Sequence, residues 1–129
     1  MWKETIICFV IIIAIIIGNF ITQKYTEQSV QELISELSNL KDEMKKEIIE
    51  KEKIKSNIAE VEKSWESRHD KLAYYLEHDE LEKVEAHLTS LKSFIESEEY
   101  PEAICELDNG AFVLKHIEEK YAFSVENLF

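Results

Sequence analysis

The stretch TIICFVIIIAIIIGNFIT, residues 5–22, sets the architecture of this 129-residue chain. Apart from Asn19, every residue in it is apolar or is a threonine that can return its hydroxyl to the backbone one turn earlier. About 18 helical residues rise roughly 27 Å, close to the hydrocarbon thickness that one crossing has to match. We therefore expect a transmembrane anchor at residues 5–22, preceded by a short flank at residues 1–4. A cleaved secretory signal would have a shorter apolar core and a small-x-small exit, and Gly18-Asn19-Phe20-Ile21 offers no such exit. Thr5-Ile6-Ile7 lacks the small residue that lipid attachment at Cys8 would need, so Cys8 reads as a small apolar side chain. Lys3 and the terminal amine precede the segment and Lys24 alone follows closely, which predicts a cytoplasmic N-terminus and an extracytoplasmic C-terminal domain in the cell membrane.

Residues 23–129 are enough chain for one small domain with one core. Lys3 and Glu4 cancel, so this domain carries the whole formal net charge of -12. Such a surface is repelled by nucleic acid and by anionic lipid, which removes nucleic acid as an expected partner. Cys105 is the domain's sole cysteine, and Cys8 inside a bilayer cannot reach it, so no internal disulfide is expected.

Helical period dominates the domain. Val30, Leu33, Leu37, Leu40 and Met44 step by three and four residues, as one apolar stripe on a helix does. Ser29-Val30-Gln31-Glu32 reads as a capping box at its start, with a continuous run from the anchor as the alternative. A second stripe follows at Ile54, Ile58, Val61, Trp65, Leu72 and Leu76. One helix through both would reach about 75 Å and could not bury its stripe without a partner, so the chain is expected to fold back near Glu47 to Glu52. Asp79-Glu80-Leu81-Glu82 reads as a cap opening a third stripe at Leu81, Val84, Leu88, Leu91 and Ile95. Pro101 suits the first turn of a fourth helix with a stripe at Ile104, Leu107, Ala111, Leu114 and Ile117. Gly110 inside that helix implies close approach of a neighbour, and Tyr121 to Phe129 is expected to pack back as a short turn. The predicted fold is all-α: one N-terminal transmembrane helix, then an antiparallel bundle of about four helices near residues 27–47, 52–76, 80–97 and 101–120.

Arg68, the single arginine against fourteen lysines, falls in line with the second stripe. A planar bidentate donor on an apolar face suggests a specific partner. Folding the second and third helices about His78 sets it level with Leu88, near Glu85 and His87, and folding the next pair about Glu99 adds Asp108, Asn109 and Gly110. The reading is a polar layer of Arg68, Glu85, His87 and Asp108 or Asn109, which is a register-fixing salt bridge in the first instance and an anion site in the second.

Reactive constellations are not apparent. Glu66-Ser67-Arg68-His69 supplies one Glu-x-x-His, but Val84 and Val113 stand where a second would need Glu, so no di-iron site is predicted. His69, His78, His87 and His116 read as solvated or hairpin histidines, and Glu96, Glu98 and Glu99 lack calcium-loop spacing. No nucleophile elbow is present. We expect no catalytic residues, no metal, no cofactor and no enzymatic activity. Trp65, Tyr74 and Tyr75 read as core or rim aromatics, an order that a large exposed aromatic area would reverse.

The isoleucine-rich segment, Trp65-x-x-Arg68-x-x-x-Leu72, His78-Asp79-Glu80-Leu81 and the closing Glu126-Asn127-Leu128-Phe129 together resemble a family of small membrane-anchored helical proteins from Firmicutes, domain of unknown function 4363. The family brings no assigned activity to carry over, and the resemblance favours a partner in the same membrane. Two functions are expected from the whole reading. The first is a non-enzymatic interaction module accessory to another membrane protein, or one that self-associates. The second is an extracytoplasmic ligand-binding or sensory bundle that uses Arg68.

Overall fold

A computed structural model describes the backbone of residues 1–128 and the side chains of residues 1–122. It contains four helices, α1 (Trp2–Met44), α2 (Lys51–Leu72), α3 (His78–Glu96) and α4 (Tyr100–Leu128), and no strand among the described residues. The all-α expectation holds, with one change of count: the apolar segment and the first bundle helix are a single element of 43 residues.

No proline interrupts α1, and its threonines bond back along the helix. Thr5 Oγ1 donates to Met1 O at 2.9 Å, Thr22 Oγ1 to Gly18 O at 2.8 Å and Thr26 Oγ1 to Thr22 O at 3.0 Å. Ser29 is consequently not a cap. It sits inside α1, buried, because the preceding turn already supplies the carbonyls that a helix start would lack. The chain turns at residues 45–50, close to the expected break.

The neighbouring pairs are α1/α2, α2/α3, α3/α4 and α4/α1, joined by short connections. That is an up-down-up-down bundle with α1 and α3 on one diagonal. Its core is filled by the predicted stripes: Val30 to Met44 on α1, Ile54 to Leu72 on α2, Leu81 to Ile95 on α3, and Leu107, Leu114 and Ile117 on α4. On α4 the buried face is rotated from the expected one. Ala103 is fully buried while Ile104 and Ala111 lie at its edge. Small residues hold inward positions where α4 lies close against α3: a Cβ built on Gly110 would stand 3.4 Å from the His87 Cβ.

Two helix ends differ from expectation, and a third closes without the usual glycine. Helix α3 opens at His78 with Glu77 in the cap position and no side-chain cap, so Asp79 lies in the first turn. The Glu77 N–H instead donates to the Tyr121 hydroxyl of α4 at 3.0 Å. Helix α4 does not stop near residue 120 and turn back: its backbone stays helical to Leu128, while Phe129 and the side-chain packing of the ending lie outside the described residues. Helix α3 ends in a Schellman motif without glycine. Glu98 takes φ 59°, its N–H donates to Ile95 O at 3.1 Å, and Glu99 N–H donates to Phe94 O at 2.9 Å.

A left-handed conformation is costly for a residue with a Cβ. Glu98→Gly is therefore expected to stabilise the bundle by about 1 kcal/mol despite losing an exposed ion pair to Lys51, seen as a higher thermal midpoint by circular dichroism in detergent. Gly110 tests the α3/α4 approach in the opposite sense. Gly110→Ala should stay within about 1 kcal/mol of the parent, and Gly110→Leu should cost about 1–3 kcal/mol by overpacking against His87.

Candidate functional site

The polar residues singled out in the sequence do not form one layer. Trp65 points α2 inward and is buried, and the helical turn then carries Arg68 roughly 60° to one side of it and His69 roughly 40° to the other. Arg68 thereby faces α1, where its Nη2 donates to the Glu32 carboxylate. His69 faces α3, where Nε2 lies 3.2 Å from Glu85 Oε1, and Trp65 Nε1 donates to the same oxygen at 3.4 Å. His87 pairs with Glu106 across α3/α4 at 2.9 Å, Asp108 accepts from Lys41 across α1/α4 at 2.8 Å, and Asn109 is exposed on α4. The five residues are thus divided among four seams and a surface.

Polar groups converge under partial burial in the α1/α2 seam around Arg68. Its side chain is 21% exposed. Glu36, one turn along α1 from Glu32, accepts a hydrogen bond from Ser64 Oγ at 3.2 Å. Glu36 Oε2, Arg68 Nε and Ser29 Oγ are buried without a protein partner. Beside them lies an open hollow of about 270 Å³ lined by Tyr25, Gln28, Ser29, Glu32, Ser67 and Arg68. Glu32, Glu36 and Ser64 were missed at the sequence level, although a signal existed. A hairpin centred on Glu50 sets residue 68 level with residue 32, whereas the reading by way of His78 looked only to the other side of α2.

Burial pushes the Glu36 carboxyl above its ordinary value, against the lowering effects of the Ser64 hydrogen bond and the Arg68 charge, and Glu32 and Glu60 raise it further. At the far end of the same seam Glu43 is held below its ordinary value by hydrogen bonds from Lys46 and Lys53. Among the described residues, no three His, Cys, Asp or Glu side chains are grouped to hold a metal ion. The remaining hollows are of similar size and are lined by mixed polar and apolar residues, as between Glu62, Trp65, Glu85 and Lys92 on the α2/α3 side.

Fold and seams define an antiparallel helical bundle closed by ion pairs, whose first helix projects an apolar segment that the rest of the chain leaves uncovered. That helix, near the N-terminus, is long and apolar enough to cross a membrane. The chain belongs to the family described as a domain of unknown function (DUF4363), whose match covers residues 20–128. No curated protein and no solved structure matches it.

The raised Glu36 carboxyl has a definite pH signature. A carboxyl whose folded value exceeds its unfolded value binds a proton more tightly in the native state, so its ionisation lowers stability as pH rises through the folded value. Glu36→Gln keeps an acceptor for Ser64 and removes the charge. Its thermal midpoint should exceed the parent's at neutral pH, with the gap closing as pH falls through the carboxylate range. A constant gap would contradict the burial account.

Proposed function

We propose that this chain is a membrane-anchored, non-enzymatic interaction module: α1 crosses the bilayer once, and the acidic bundle acts by being held beside another membrane protein or a second copy of itself. One observation carries this reading. The apolar window of α1 is entirely unburied by the rest of the chain, yet the same helix continues without a break into the bundle core at Thr26, Ser29 and Val30. An uncovered helix of that composition needs an apolar solvent. In this proposal the N-terminus is cytoplasmic and the bundle lies outside. Around the bundle, charged seams enclose an apolar core, and Phe112 stands exposed on α4 as an apolar contact available to a partner.

A second reading keeps Arg68 as an anion site, and the buried Arg68 Nε without a partner beside an open hollow favours it. An incoming anion would have to displace Glu32 and approach Glu36, which supports the first reading over this one.

Affinity purification of the full chain from solubilised native membranes tests the proposal. A specific membrane protein, or a second copy, should be recovered with the full chain and lost when residues 1–22 are deleted. Recovery of no specific protein from cells that express the chain would argue against it.

A further inference from the structure

Four of the chain's five tyrosines gather at one end of the bundle. Tyr25 on α1 meets Tyr75 of the α2–α3 turn edge-on, with ring centroids 6.4 Å apart. Lys71 Nζ lies 5.6 Å from the Tyr25 ring centre. Tyr121 of α4 accepts from the Glu77 N–H and shares a hollow with Gln23, Thr26 and Glu27 of α1. The fourth, Tyr74, is the apex of the turn and is 85% exposed, with Tyr75 beside it at 41%. Trp65 went into the core; these two did not. Nothing in the bundle core requires an aromatic ring at Tyr74, while the turn is already closed by backbone bonds from Tyr74 N–H to Lys71 O and from Tyr75 N–H to Leu72 O, at 3.1 and 2.9 Å.

Register fixes where this end lies. Tyr25 follows Thr22 by three residues, about 4.5 Å along the helix. A headgroup layer is roughly 5–7 Å thick on each side of the hydrocarbon. If α1 crosses the bilayer as proposed above, the α2–α3 turn that faces Tyr25 falls within that layer. The loops at residues 45–50 and 97–99 belong to the opposite end, about 30 Å further along α1. Tyrosine suits the boundary because its ring is apolar and its hydroxyl is wet, and Lys24 and Lys71 bring ammonium groups to the level of the phosphates.

The geometry points to a lipid-contacting surface: the Tyr74-Tyr75 turn, together with Tyr25 and Lys71, rests in the headgroup layer of the leaflet that α1 leaves, and holds the bundle upright on the membrane. This rests on the anchor reading. The occupant is the phosphodiester and glycerol region of an ordinary zwitterionic lipid. Asp70, Glu77 and Asp79 flank the same end, so anionic lipid is not what the surface selects.

The test uses the full chain with Cys8→Ser and Cys105→Ser, spin-labelled singly at Ile13→Cys, Tyr74→Cys or Ile48→Cys, in nanodiscs of phosphatidylcholine alone. All three positions are exposed on the protein, at 54%, 85% and 82%, so the label leaves the core intact. Accessibility to oxygen and to a water-soluble nickel chelate should place position 13 in hydrocarbon, 74 in the headgroup layer and 48 in water. Position 13 in hydrocarbon with 74 as accessible to the chelate as 48 would overturn the lipid contact and leave the anchor standing. Position 13 in water would overturn both. Discs selected by size to hold one copy each exclude shielding of position 74 by a second copy.

Discussion

The structure depends on one constraint, the unbroken backbone hydrogen bonding of α1 through residues 19–26. On one side of this stretch the helix is apolar all round, and on the other only a single face is apolar, the face that Val30, Leu33, Leu37 and Leu40 present to the core. A helix satisfies its own backbone in either surrounding, so the same element can change solvent without a linker. Thr22 and Thr26 smooth the change, because each returns its hydroxyl to a carbonyl one turn back and needs no outside partner. A consequence follows for the bundle. Its core begins at Thr26, about 6 Å beyond Thr22, so the packed domain starts where the apolar segment stops.

Once α1 is fixed, the remaining helices close a ring around its inner face. Ion pairs run along the seams between neighbours, Lys41 to Asp108, Lys92 to Glu62, Arg68 to Glu32 and Lys120 to Glu80. Solvent-facing pairs such as Lys41 to Asp108 and Lys92 to Glu62 contribute little energy singly, whereas the Lys120 pair reaches the buried Glu80. Each pair joins one residue of a helix to one residue of its neighbour, so that together they favour the observed register. The chain's one arginine stands at the seam where two carboxylates of α1, Glu32 and Glu36, approach α2; it donates to Glu32, and its charge acts on Glu36 without a hydrogen bond.

Apolar periodicity made most of the fold legible. The stripes on α1, α2 and α3 are the buried faces observed, residue for residue from Val30 to Met44, from Ile54 to Leu72 and from Leu81 to Ile95. What periodicity does not encode is which of two flanks of a helix meets which neighbour. Arg68 and His69 are adjacent in sequence and serve different seams, and the expected layer with Glu85, His87, Asp108 and Asn109 failed for that reason. The caps expected at Ser29 and Asp79 failed because capping patterns mark helix starts only where N–H groups are free, and Ser29 has a preceding turn while Glu77 finds Tyr121. On α4 the small residues Ala103 and Gly110 displaced Ile104 and Ala111 from the centre. A hydrophobicity pattern ranks isoleucine inward, but close helix approach ranks size first.

Continuity of α1 is the claim on which the anchor, the placement of the bundle and the lipid contact all rest. The most direct measurement is a pulsed electron-spin distance between labels at Ile13→Cys and Gln31→Cys in the full chain lacking Cys8 and Cys105, reconstituted in lipid. An unbroken helix predicts a narrow distribution near about 27 Å, from eighteen residues at helical rise. A broad or markedly shorter distribution, from a hinge at Gly18-Asn19 or between Thr22 and Thr26, would contradict the account.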